Sequence, residues 1–432
     1  MWQTYRNAWK IDDLRKKLLF TLFIIILFRI GSAIPVPFIS STAMQEWFSD
    51  DAVQGTLLGY FNMLSGDAFS KATLFALGVS PYITASIVMQ LLSIAIPALE
   101  KLQKSGPEGQ AKISKITRYV TVVLALITAY GYYTTMRTAR LPSNLPILID
   151  TGWFALLVIL VAYTAGACLV MWIAEKIDER GIGNGISIIL FANITAGIAF
   201  KILALFKLLT VETVAAIAAF LMMIGIITLI VFITKSERRL PVQYAKRQVG
   251  RKMYGGMNTN LPIKVLMSGV MPIIFANAIT ALPSTLSLLI PSWSDFISKY
   301  FSPQKADWGW IYVSVDFLLI LAFAFFYISI SFNPMEVANN LKKNGGTILG
   351  YRPGKPTADY IKKVLNRITL IGAFFLSFMA IFPILMSWTG SDSFKTLIFG
   401  GTSLIIIVGV ALETTRDIES EITMRHYKGF LE

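Results

Sequence analysis

The sequence predicts an all-α polytopic membrane protein of ten transmembrane helices, and three observations predict it. The first is composition: 55% of the 432 residues are hydrophobic and 15% are charged. The second is distribution. The apolar residues recur in ten stretches of roughly 20 residues, the length a helix needs to cross the hydrocarbon core. The third is charge. Of the 39 Lys and Arg residues, thirty fall on one side of this ladder, with fifteen Asp and Glu, while the other side carries nine and ten. Lys and Arg are retained on the cytoplasmic side of a membrane, so the same partition orients the chain.

The leader, 1–17, is basic and amphipathic, with Lys10, Arg15, Lys16 and Lys17. It stays inside. It is not expected to be a cleavable signal peptide, because the apolar run 18–34 is long for one and Pro35-Val36-Pro37 follows without a small-residue cleavage site. The spans are read as roughly 18–34, 72–96, 119–136, 153–174, 186–206, 213–234, 265–290, 310–332, 368–388 and 396–413. Their even number returns the C-terminus to the cytoplasm. Counting five spans per half divides 1–209 from 210–432, and an odd number of spans per half makes the halves inverted repeats.

Several spans are punctuated. Pro81 is expected inside the second and Pro97 at its end; Pro272 and Pro283 interrupt the seventh. Gly183 and Gly185 open the fifth, and Gly400 and Gly401 lie in the tenth. A broken helix frees backbone groups, which membranes tolerate only when they are buried in protein or face water. The breaks therefore point to an aqueous path or a movable interface, although Pro and Gly are also common in ordinary membrane helices.

The internal loop 235–264 carries Lys235, Arg238, Arg239, Lys246, Arg247, Arg251, Lys252 and Lys264 against the single acid Glu237. This is more charge than topology needs. It fits a docking hairpin for an anionic partner, or topogenic charge drawn to anionic lipid. The other long internal loop is 333–367. The segment 56–69, TLLGYFNMLSGDAF, is apolar but too short to span. It is either a re-entrant half-helix or an amphipathic stretch at the external interface. Arg29, deep in the first span and close to Gly31 and Pro35, is expected to snorkel to the outer interface. Thr84, Ser86 and Gln90 in the second span, and Asn277 and Thr280 in the seventh, recur at helical spacing, as interhelical hydrogen bonding requires.

Other chemistry is excluded by what the sequence lacks. With Cys168 as the only cysteine and His426 as the only histidine, no disulfide framework and no His/Cys metal site can form. No nucleotide loop or nucleophile–base pair is present, so no catalytic site and no cofactor is expected. No carboxylate is expected at mid-membrane as an ion relay. Beside a gated channel, two readings remain open: a secondary transporter of a small solute, and a membrane scaffold whose basic loops recruit a cytosolic complex.

Several collinear stretches resemble the SecY family, the central channel subunit of the protein translocon. They are FRIGSAIPVP at 28–37, FNMLSGDAFSKATLFALGVSPYITASIVMQLL at 61–92 and ERGIGNGISI at 179–188. YAKRQVGRK at 244–252, FNPMEVANNLKKNGG at 332–346, YRPGKPT at 351–357 and FGGTSLIIIVGVALE at 399–413 continue the match. The resemblance implies two pseudo-symmetric five-helix halves around a central pore, with a short re-entrant plug helix at 56–69 that includes Leu57, Asn62, Leu64, Gly66 and Asp67. Asp67 stands where many relatives carry glycine.

By the same resemblance the pore ring falls on Val79, Ile83, Ile186, Leu190, Ile274 and Ile406, where Val79 and Leu190 replace the family's usual isoleucine. Thr84, Ile87, Gln90, Asn277 and Leu282 would line a lateral gate, and Lys246, Arg247, Arg251, Lys252 and Arg352 would dock partners. The implied partners are SecE-type and SecG-type small subunits, the SecA motor ATPase, the ribosome with its ribosomal RNA, signal peptides and nascent chains, and membrane lipid. The implied location is the bacterial plasma (inner) membrane, with both termini cytoplasmic.

Overall fold

The structure, a computed structural model, describes residues 2–49, 62, 65–139, 146–208, 213–244, 247–249, 252–254, 258–289, 293–300, 308–389 and 401–428. Its helices are α1 (Trp2–Lys10), α2 (Asp12–Gly31), α3 (Ser41–Ser49), α4 (Ser80–Ala95), α5 (Pro97–Lys104), α6 (Pro107–Thr138) and α7 (Trp153–Arg180). They continue with α8 (Gly185–Leu208), α9 (Thr213–Lys235), α10 (Met271–Leu289), α11 (Ser294–Tyr300), α12 (Gly309–Ser331), α13 (Pro334–Lys343), α14 (Lys355–Thr389) and α15 (Gly401–Lys428). Five strands lie between them: β1 (Glu237–Tyr244), β2 (Arg247–Val249), β3 (Lys252–Tyr254), β4 (Asn258–Lys264) and β5 (Gly346–Ile348). Each predicted span overlaps a helix, and α6, α7, α12 and α14 are each long and apolar enough to cross a bilayer in one piece.

The helices sort lipid from protein by face. In α2, Thr21, Ile24, Phe28 and Gly31 are buried at helical spacing, while Leu19, Leu22, Phe23, Ile26 and Ile30 are exposed. Large apolar side chains left outside in this way mark the surface that meets lipid. Small residues allow close approach on the inner side: a Cβ on Gly166 of α7 would collide with the Leu74 carbonyl.

Two interruptions differ from expectation. The second helix begins at Ser80, so Pro81 sits in its first turn, where a missing N–H costs no hydrogen bond. Residues 72–79 form turns ahead of it. Pro97 does end the span: α5 leaves α4 at a bend of 103°. In the seventh span Pro272 also lies at the helix start, and Pro283 is the one inside it. Gly400 lies outside the described residues.

The internal loops carry strand structure that hydropathy does not reveal. Strands β1 and β4 pair antiparallel from Glu237 opposite Lys264 to Gln243 opposite Asn258. Strand β5, from the other long loop, adds to the free edge of β1, with Val242 opposite Ile348 and Tyr244 opposite Gly346. Leu240, Val242, Ile263 and Ile348 from this sheet bury against Ile361 and Leu365 of α14. Both loops thus form one structural unit. At the same end, Ala8 and Leu14 pack with Ile182 and Ile418. Tyr5 hydrogen-bonds Thr415, and Lys17 pairs with Glu421 at 2.6 Å. The leader therefore clasps α15, which puts both ends of the described chain on one side.

Candidate pore, gate and docking surfaces

Four helices contribute the six aliphatic residues that resemblance assigned to a ring. Val79 caps α4 with its carbonyl, which accepts the Ile83 amide at 3.0 Å. This i,i+4 pair therefore shares a face. Helix α8 starts under a dense cap. The Gly185 amide donates to Asp178 Oδ1 at 2.7 Å, the Ser187 amide donates to Asn184 Oδ1 at 3.1 Å, and Gly183 takes φ +76°. That cap holds Ile186 and Leu190 in the first two turns. Ile274 lies in the first turn of α10 and Ile406 in the second turn of α15.

Five of the six, Val79, Ile83, Leu190, Ile274 and Ile406, are buried in one apolar cluster, and the half-buried Ile186 packs against it. All six therefore belong to one extended apolar core. None carries a donor or acceptor in its side chain, so a narrow passage lined by them gives water and ions nothing to replace hydration, and it dewets.

Of the gate candidates, Thr84, Ile87 and Gln90 lie on α4, and Asn277 and Leu282 on α10; these two helices pack against each other. The hydrogen bonds of the α4 polar residues stay within α4: Thr84 Oγ1 donates to the Ser80 carbonyl at 3.0 Å, and Gln90 Nε2 donates to Ser86 Oγ at 3.3 Å. Thr280 Oγ1 likewise donates to the Asn277 carbonyl, at 3.1 Å within α10. These bonds survive separation of the two helices, which lowers the cost of parting them.

Residues 65–73 form a compact elbow ahead of α4. The Asn62 side chain organises it, donating to Asp67 Oδ1 at 3.2 Å and accepting the Ser70 amide at 2.8 Å. Tyr132 of α6 stacks on Phe69 with ring centroids 3.9 Å apart and donates its hydroxyl to the Phe69 carbonyl at 2.8 Å. Gly66 and Asp67 both have positive φ, tolerated by glycine and by aspartate. Leu57 and Leu64 lie outside the described residues.

Arg29 corrects the sequence expectation. It does not extend to the interface but turns inward, and its Nη2 donates to the Ala192 carbonyl of α8. A buried acceptor on a neighbouring helix outweighs the short reach to water.

A second correction concerns Asp316. No mid-membrane carboxylate was expected, yet Asp316, two turns into α12, is only 2% exposed, and its Oδ1 meets no hydrogen-bond partner among the described residues. It lies one turn from Tyr312, which is also buried, on a helix that packs against α10. The signal was present as one acid in an otherwise apolar run, GWIYVSVDFLL, but hydropathy averaging hides a single residue.

In the loop 235–264, Arg247 and Lys252 lie on β2 and β3, which pair as a short ribbon, while Lys246 and Arg251 lie outside the described residues. Arg352 is exposed in the turn after β5, and its carbonyl accepts Thr357 Oγ1 at 2.7 Å. Arg352 follows β5 of the three-stranded sheet β4–β1–β5, while the basic ribbon β2–β3 is a separate two-stranded sheet inserted between β1 and β4. At the root of this sheet, Lys264 is half-buried beside Arg416, and burial followed by the guanidinium's repulsion lowers its ammonium pKa. Asp417 is raised, first by burial and then by Glu421. Arg416 Nη2 donates to the Thr234 carbonyl at 2.9 Å and so ties α15 to the end of α9.

Residues 73–415 match the SecY family model. The chain is 43% identical to the protein translocase subunit SecY of Streptomyces galbus over 443 residues, with all of both chains covered. In fold it resembles a solved SecY protein whose plug domain stabilises the closed translocation channel and maintains a membrane seal, with TM-score 0.69 and 18% identity, covering 94% of this chain and 92% of that one. It also resembles Sec61 from the canine ribosome–channel complex of the endoplasmic reticulum, with TM-score 0.64 and 16% identity over 94% of this chain and 92% of that one.

Proposed function

The chain belongs to the SecY family, and from that premise we propose that it is the protein-conducting channel subunit of a bacterial Sec translocon. It passes unfolded secretory polypeptides across the plasma membrane and releases transmembrane segments sideways into lipid. The observation that carries this reading is the convergence of Val79, Ile83, Ile186, Leu190, Ile274 and Ile406 from four helices into one apolar cluster. Such a collar excludes hydrated ions, because removing an ion's water without replacement costs far more than thermal energy. It also forms no specific bonds with a passing chain, so many sequences can slide through.

The halves 1–209 and 210–432 form the two walls of the channel. The elbow and the plug segment before it close the external funnel, which fits the plug-sealed SecY relative. The α4–α10 seam, with Thr84, Ile87, Gln90, Asn277 and Leu282, opens toward lipid. A signal sequence or nascent helix then partitions by its own hydrophobicity.

The channel is not an enzyme. The energy for movement comes from a SecA-type motor or a bound ribosome, which docks on the two basic loops through Arg247, Lys252 and Arg352, together with Lys246 and Arg251. Contacts to ribosomal RNA rest on these cations meeting phosphate. Small SecE-type and SecG-type subunits accompany the channel. Both termini face the cytoplasm, in keeping with the basic leader clasped on α15.

The test is reconstitution into proteoliposomes with the companion subunits, the motor and an unfolded secretory substrate. Protease protection of the substrate inside the vesicles, dependent on motor and ATP, is the expected result. Saturable uptake of a small solute without any protected polypeptide would replace this reading with the transporter alternative.

A further inference from the structure

We propose that Arg29 is a positioning residue of the channel's seal: its guanidinium holds the elbow 65–73 against the apolar cluster, on the side opposite the basic sheet, and its interaction with Asp67 must loosen before the elbow can lift. This inference rests on reading that cluster as the constriction.

Several contacts carry it. Arg29 lies in the last turn of α2 yet points inward, donating to the Ala192 carbonyl of α8. Its other terminal nitrogen, Nη1, lies 3.2 Å from where a Cβ on Gly66 would sit. Asp67, the next residue along the elbow, forms no direct ion pair with the guanidinium but places a carboxylate one residue from the glycine that Nη1 approaches. Asp67 is itself held by Asn62 Nδ2, and Asn62 Oδ1 accepts the Ser70 amide, so a pull on the carboxylate is a pull on the whole turn.

The elbow meets the ring at two points. A Cβ on Gly78, the residue before Val79, would lie 3.9 Å from Ser65 Cβ, and the backbone of Gly66 packs on that of Asn193, three residues beyond Leu190. One cation thus bridges α2, α8 and the elbow just above two ring residues. A charged side chain at this depth is stable only with polar partners, and the planar guanidinium can hold a carbonyl with one nitrogen while another packs on the elbow.

The test uses the full channel with its companion subunits in proteoliposomes, and the readout is resting ion conductance. Wild type is compared with Arg29→Met, Asp67→Asn, the double variant and the ring variant Ile274→Asn. Each of the first two is expected to raise conductance about two- to five-fold, the effect of losing one partly exposed charge contact. The double variant should match Arg29→Met alone, since both changes remove the same charge–charge attraction.

Wild-type conductance in Asp67→Asn while Ile274→Asn leaks would overturn the role of Arg29 and leave the channel reading standing. A double variant whose effect is the product of the two singles would also overturn it. An unchanged Ile274→Asn would instead remove the seal, and this inference with it. Should Arg29→Met fold poorly, Asp67→Asn decides alone, because it removes the charge and keeps the size.

Discussion

Single residues here act mainly by what they refuse to bind. In the proposed collar the side chains are all aliphatic, so one amide among them changes the balance for water. Ile274→Asn or Ile406→Asn places a polar group where about 1–3 kcal/mol of unmet hydrogen bonding can be recovered by hydration. Resting ion conductance should therefore rise by about tenfold, and discrimination against defective signal sequences should loosen. Unchanged conductance in both variants would take these residues out of the constriction. Asp316 is the reverse case, a polar group in an apolar setting with an oxygen unpaired. Replacing such a group with an apolar one of similar shape is neutral or stabilising. Asp316→Leu should raise thermal stability in detergent by about 1–3 kcal/mol, and a clear loss of stability would reveal a partner for the carboxylate.

At the scale of elements, the informative feature is the sheet that joins two loops more than eighty residues apart in sequence. Ile348 is buried between β1 and α14, so its side chain decides whether β5 stays on the sheet. Ile348→Ser is expected to cost about 2–4 kcal/mol locally. The loop around Arg352 should become protease-sensitive while the transmembrane helices stay protected; equal resistance to wild type would mean that β5 is held by other contacts. The helix breaks belong to this scale too. Pro81 and Pro272 start helices, whereas Pro97 turns the chain through 103°. Sequence shows a proline but not which side of it the helix occupies, because the residue is equally at home in a first turn and just after a last one.

For the whole molecule, the asymmetry of charge is also an asymmetry of architecture: the two basic loops, far apart in sequence, fold together through one sheet. Charge reversal, Arg352→Glu, should reduce motor-driven export by about tenfold or more if the loss is that of a buried charge pair at the docking interface. Passive conductance should be unaltered; normal export would remove Arg352 from the docking surface. The places of the helices and the crowding of Lys and Arg into two long loops were legible in the sequence alone. Each of these depends on properties that neighbouring residues share, such as hydropathy over a span or net charge over a loop. The inward turn of Arg29, the buried carboxylate of Asp316 and the pairing of β5 with β1 were not legible. Each depends on a partner distant along the chain: the Ala192 carbonyl, the facing helix α10 and a strand from another loop. Only the tertiary structure brings such partners within reach, because burial and hydrogen bonding are set by neighbours in space and not by neighbours in sequence.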